Sequence, residues 1–330
     1  MIRTIIAVSV FFFLFAYSGC HDHGVDEVTA PTWSQVNTGF WDPNVKSINV
    51  TSVFANGSNL FAGTDSGVYL STNQGANWTP RNTGMPVGSI WCFAANGSLL
   101  FAGGGQGVFS STNDGSTWTA SSNGFPTRSW EIYALSFVGS DLLAGTYGGI
   151  FRSTNNGLNW EASNGGLSQL TKVDAFQENG TRLFAGGWVG LIASTDQGRN
   201  WAPSDSGLTG SYMSVTSFAT IDSDIFAGLY TRGVYISTDN GNFWSPAKNG
   251  MTNLGVTSLA VSGTQIFAGT VDGVFVSTNN GSSWTSIGLS EPTGGIWSLA
   301  ISGPYLFAGT TSLNWNTGDP ISGVWRYPLQ

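Results

Sequence analysis

"STNDGSTW", residues 111–118, is one of six near-copies of a single octapeptide. The others are "STNQGANW" (71–78), "STNNGLNW" (153–160), "STDQGRNW" (194–201), "STDNGNFW" (237–244) and "STNNGSSW" (277–284), with starts 40, 42, 41, 43 and 40 residues apart. Nearly constant spacing means that one supersecondary unit is being repeated. A second landmark keeps step with it: "FAG" at Phe61, Phe101, Phe184, Phe226, Phe267 and Phe307, with "LAG" at Leu143.

A unit of this length carrying several short apolar runs fits a propeller blade of four strands, and the 3.6-residue pattern of helical repeats is absent. The unit around residue 270 shows the strands: "SLAVSG" (258–263), "QIFAGT" (265–270), "GVFVST" (273–278), and a fourth opening at Trp284. Gly, Asn or Asp stands at each break, as tight hairpins require. The octapeptide is then the turn between strands three and four. Its Asn or Asp can accept backbone hydrogen bonds, and the glycine two places on can adopt positive φ. The tryptophan packs on the apolar face of its own blade or of its neighbour.

Seven "FAG"-type strands face six octapeptides, and the last unit ends at "GVWRYPLQ", one strand short. "PTWSQVNTG" (31–39) matches "NWTPRNTG" (77–84), which sets Trp33 where the other fourth-strand tryptophans stand. The expected fold is therefore all-β: a seven-bladed propeller of four-stranded antiparallel blades, with the N-terminal strand completing the last blade and leaving no free ring edge. The domains are a signal peptide (1–19), a lipidated cysteine with its tether (20–31) and the propeller (32–330).

The leader rests on "MIRTIIAVSVFFFLFAYSGC": a positive charge at Arg3, an apolar run too short to span a membrane permanently, and small residues before Cys20. Tyr17-Ser18-Gly19-Cys20 resembles a bacterial lipobox, which implies lipidation of Cys20. His21 follows where inner-membrane lipoproteins carry Asp, so by analogy the expected location is the outer membrane of a bacterial envelope. "HDHGVDEVTAP" (21–31) reads as a solvated tether. It holds the chain's two histidines, His21 and His23, so the folded part has no imidazole for a triad or a zinc site. Cys92, in an apolar strand, is expected to be buried. With 19 acidic and 11 basic residues the formal charge is −8, which excludes a nucleic-acid partner and confines membrane contact to the lipid anchor. No cofactor or metal spacing is present, and the chain is expected to be a monomer.

Loops between strands two and three share a face with the connections between blades, opposite the octapeptides. They present in turn Asp65, Gln106, Tyr147, Trp188, Tyr230 with Arg232, Asp272, and in blade seven the long "TTSLNWNTGDPIS" (310–322) with Trp315. Ten residues before each "FAG" or "LAG" stands a variable residue beside an apolar one: Thr51, Trp91, Tyr133, Asp174, Thr216, Thr257 and Trp297. Glu131 and Lys172 lie two places before Tyr133 and Asp174. Trp91, Tyr133, Lys172, Asp174, Trp188, Tyr230, Arg232, Trp297 and Trp315 are thus the candidate ligand-binding residues, aromatic platforms beside a few charges.

The octapeptide resembles the Asp-box, or BNR, repeat S-x-D-x-G-x-x-W, with Asn for Asp in four of six copies. The resemblance implies a structural hairpin on the face opposite the pocket, and no activity. Sialidases of that family grip a carboxylate with three arginines. Here Arg152 and Arg326 fall in third strands, Arg199 and Arg182 on the octapeptide side, and at most Arg81, Arg128 and Arg232 reach the variable face. The xyloglucan-cleaving members use two carboxylates between two propellers, and this chain builds one. Single seven-bladed members, the photosystem II stability/assembly factors, bind protein without catalysis. The expectation is a lipid-anchored, non-enzymatic propeller holding an envelope protein or glycan. The alternative is a glycoside hydrolase working through Glu131 and Asp174, a carboxylate pair that needs roughly 5 to 10 Å between its members.

Overall fold

In blade one the chain runs outward through Val50–Asn56, Asn59–Thr64, Gly67–Ser71 and Thr79–Pro80, each strand antiparallel to the one before. Six such sheets follow in sequence order, with first strands beginning at Ile90, Ile132, Val173, Val215, Val256 and Ile296. The computed structural model describes residues 31–40, 48–126, 131–168, 172–210, 213–289, 295–311 and 322–329. All of them belong to the unit Pro31–Gln330. The leader, Cys20 and the tether up to residue 30 lie outside the described residues.

Blade seven is completed from the other terminus. Ser34–Gln35 pairs antiparallel with Gly323–Pro328, with Ser34 opposite Arg326 and Gln35 opposite Trp325. The chain is a seven-bladed β-propeller closed by its N-terminal strand, as expected from the Trp33 match.

The octapeptide is both turn and latch. The serine hydroxyl donates to the Asn or Asp Oδ1 at 2.8–2.9 Å and accepts the glycine N–H at 2.8–3.0 Å. The same Oδ1 accepts the N–H before the tryptophan, at 2.9 Å in all six copies. The glycine has positive φ as expected. So does the residue ahead of it, at 53–61°, an Asn or Asp in four copies, types enriched in the left-handed region, and a Gln in the other two. The glycine is needed for space as well: at Gly157 (φ +76) a Cβ would stand 2.6 Å from the Phe101 ring of the preceding blade.

Each octapeptide tryptophan is buried, and its indole N–H donates to a carbonyl at the outer strand of the blade before it. Trp78 reaches Val36, Trp118 reaches Arg81, Trp160 reaches Ser121, and so on to Trp284 and Ala247. Trp33 adds the seventh bond, to Ile287. Every acceptor stands three places after a donor tryptophan, so seven bonds of 2.7–3.0 Å make a closed circuit. A buried donor with no partner would cost about 1–3 kcal/mol, so this circuit fixes blade spacing as well as filling volume.

Between blades the core is apolar. The Phe or Leu of each "FAG" or "LAG" is fully or almost fully buried. Cys92 is also buried, as expected, its Sγ 3.5 Å from the Ile132 carbonyl oxygen of the next blade.

Candidate functional site

The first strand of every blade carries an irregularity at the same place. Val50 pairs with Thr64 and Ser52 with Gly63, leaving Thr51 out of the ladder. The same shift skips Trp91, Tyr133, Asp174, Thr216, Thr257 and Trp297. These are β-bulges, which re-aim the extra side chain. Here the seven extra residues point to the propeller axis at the mouth of a funnel of about 1470 Å³. Loop residues from the blade-to-blade connections and from the strand two to three turns line the same funnel, so the expected division of faces holds.

The ring is of two kinds. The Thr51, Thr216 and Thr257 hydroxyls contact the carbonyl of the residue before the next blade's bulge, at Ile90 (2.6 Å), Val256 (2.9 Å) and Ile296. These threonines stitch blade to blade, a structural role that their variability in sequence had concealed. Trp91, Tyr133, Asp174 and Trp297 offer their side chains to the funnel instead.

Trp91 and Tyr133 stack, with ring centroids 5.0 Å apart and planes 9° apart. The Lys172 ammonium lies 4.0 Å from the Tyr133 centroid and 5.8 Å from that of Trp188, and Trp188 meets Tyr147 edge-on at 6.0 Å. A row of aromatic rings therefore crosses blades two, three and four with one cation set into it. Lys172 is held by Asp174 Oδ1 at 2.7 Å. Burial raises the Asp174 carboxyl above the ordinary value, and the charge of Lys172 opposes that rise. The Tyr133 hydroxyl donates to Glu131 Oε2 at 2.7 Å. Its own pKa is raised, first by burial and then by that hydrogen bond and the Glu131 charge.

Trp91, Tyr133, Lys172, Asp174, Trp188, Tyr230 and Trp297 all line the funnel. Arg232 does not: the turn before Gly233 sends its guanidinium back over Gly210, where a Cβ would stand 2.3 Å from its Cζ. Arg81 also departs from expectation, since its guanidinium reaches Ser116 in the next octapeptide, on the opposite face. Trp315, Arg128 and most of the 310–322 insertion lie outside the described residues. Among the described residues no arginine lines the funnel. Of the hydrolase pair, Asp174 lines the funnel against Lys172, whereas Glu131 is exposed beside it.

Two residues of the site went unmarked as binding candidates in the sequence. Asn49 stands before the first strand of blade one and Asp65 in its strand two to three turn, and both line the funnel. Asn49 Nδ2 donates to Asp65 Oδ2 at 3.2 Å and the Ser66 hydroxyl to Asp65 Oδ1 at 3.3 Å. Burial raises the Asp65 pKa against those hydrogen bonds. Asp65 was visible only as one member of the loop series.

Residues 6–140 match the DUF6242 beta propeller domain. No curated protein matches the chain. Similarity to solved structures is extensive at low identity. The extracellular domain of BT4673 from B. thetaiotaomicron aligns at TM-score 0.70 and 14% identity over 90% of this chain, which spans 40% of that one. YCF48 bound to D1 peptide aligns at TM-score 0.64 and 13% identity, over 91% of this chain and 97% of that one. The GH74 xyloglucanase from Xanthomonas campestris aligns at TM-score 0.64 and 18% identity, over 91% and 54%. At these identities the likeness is one of fold.

Proposed function

We propose that this is an exported, lipid-anchored binding propeller without catalytic activity, which holds a protein or glycan partner in its funnel. The observation that carries this reading is the sorting of aromatic side chains. The octapeptide tryptophans are buried, whereas Tyr147, Trp188, Tyr230 and Trp297, four of the five aromatic residues that stand clearly exposed among those described, lie on the funnel face. Large apolar rings in water at a concave mouth lined with hydroxyls and amides are what a ligand would cover.

The octapeptides are read as Asp-boxes, and their hydrogen-bonded turns support that reading. The extracellular placement of the BT4673 domain and the peptide bound to YCF48 support export and non-catalytic binding by analogy of fold. Against hydrolysis, Asp174 is neutralised by Lys172 and Glu131 is engaged by the Tyr133 hydroxyl. Cys20 carries the lipid, and the outer membrane is its proposed destination.

Two measurements test the reading. Radiolabelled palmitate should enter the full chain expressed in bacteria and not its Cys20→Ala variant. The purified full chain should turn over none of a panel of aryl glycosides and polysaccharides. Turnover that disappears in Glu131→Gln or Asp174→Asn would replace the binding reading with the hydrolase.

A further inference from the structure

The bulge ring is uneven in a way that specifies a ligand. In ring order, blade seven gives Trp297, blade one Thr51 and blade two Trp91, so a small residue separates two indoles. Trp297 is 46% exposed, and both indoles line the funnel. Above Thr51 stand Asn49 and the Asp65 carboxylate. The Asp65 carboxylate is oriented by the Asn49 amide and the Ser66 hydroxyl, with the backbone N–H groups of Asn49 and Asp65 also turned to it, and in that fixed position it lines the funnel.

Charge narrows the class. The cation among the described lining residues is Lys172, whose ammonium is 2.7 Å from Asp174. Two carboxylates, Asp65 and Asp174, line the same space. Among the described residues an anionic ligand would meet no arginine and two negative groups. The remaining polar lining is hydroxyl and amide, from Ser89, Ser214, Thr231 and Thr311 among others. Flat apolar faces beside neutral donors and acceptors complement a molecule whose ring faces are C–H and whose edges are hydroxyl.

We propose that the funnel binds a neutral oligosaccharide whose rings lie against the Trp297 and Trp91 indoles on either side of Thr51, with its hydroxyls meeting the Asp65 carboxylate. This rests on the binding-propeller reading and narrows it to one ligand class. Asp65 and Trp297 are its specificity-determining contacts.

The test is titration calorimetry of the full chain in detergent with cellohexaose, xylohexaose, mannohexaose, hexagalacturonate and a pool of random decapeptides. At least one neutral hexasaccharide is expected to bind and hexagalacturonate is not. Trp297→Ala and Trp91→Ala should weaken binding about tenfold or more and Asp65→Asn several-fold. Phe243→Ala, on the octapeptide face, should leave binding unchanged, and melting curves should show each variant folded. If no neutral hexasaccharide binds, or if hexagalacturonate binds more tightly, the assignment is overturned. Decapeptide binding lost in Trp91→Ala, with no sugar bound, overturns the glycan and leaves the funnel as a binding site. Sugar binding that survives all three funnel substitutions overturns the proposal and the funnel reading together.

Discussion

The Trp33 indole donates to the Ile287 carbonyl at 3.0 Å, joining residues 254 positions apart in the chain. It is the one bond of the indole circuit whose donor precedes the Ser34–Gln35 strand, and it ties that strand to blade six while the ladder ties it to Gly323–Pro328 of blade seven. Trp33→Phe keeps an aromatic ring and removes the donor. The expected loss is about 1 kcal/mol, a fall of roughly 2–4 °C or less in Tm for a domain of this size, read by scanning calorimetry. A loss as small as that of an exposed substitution such as Phe243→Ala would show that this bond does not hold the closure.

The octapeptide serine and its Asn or Asp partner separate cleanly in their tolerance. Ser153 is buried, donates to Asn155 Oδ1 and accepts the Gly157 N–H. Ser153→Ala leaves that N–H without a partner and should cost about 1–3 kcal/mol in urea unfolding. Asn155→Asp should be close to neutral, because Asp196 and Asp239 make the same bonds in blades four and five.

Those two aspartates predict a pH dependence. Hydrogen bonds from the Asn200 side chain and backbone hold the Asp196 carboxyl down to about 2, against an ordinary value of 3.8. A depressed folded pKa contributes stability that is fully present above the unfolded value and lost as pH falls through the folded one. Urea midpoints of the native protein should therefore drop between about pH 4 and about pH 2 by more than those of Asp196→Asn. Parallel curves would show that the turn does not depend on the charge.

For Asp174 the sign is reversed. Burial raises its pKa, so the folded state resists ionisation as pH rises, and Lys172 offsets that resistance. Lys172→Met should destabilise the protein at neutral pH by on the order of 1 kcal/mol, since both side chains keep some contact with water. The deficit should shrink as the pH is lowered and Asp174 is neutralised. Asp174→Asn in the Lys172→Met background should restore stability at neutral pH, which thermal melting at two pH values will show.

The ring, its blade number and its closure were legible in the sequence because every blade asks the same of its Ser, Gly and Trp, and the demand recurs in register. The bulge was not read, although a trace of it is there. Val50 and Val53, Ile90 and Phe93, and Ile132 and Leu135 are buried pairs three residues apart within a strand, where regular pleating would give an even spacing. The lining of the candidate site was legible in outline, since all seven residues of the variable position face the funnel. The fates of Thr51 and Arg232 were not, because a hydroxyl bonded to the next blade and a guanidinium folded over a glycine depend on neighbours far apart in the chain.

The extra residue of each inner strand takes no part in the backbone pairing around it. Exchanging Trp297 or Tyr133 for another side chain therefore leaves the hydrogen-bonded frame as it was, while the threonines keep neighbouring wedges locked. A chain built in this way can change the chemistry of its funnel by altering a handful of codons, with the architecture insulated from the search.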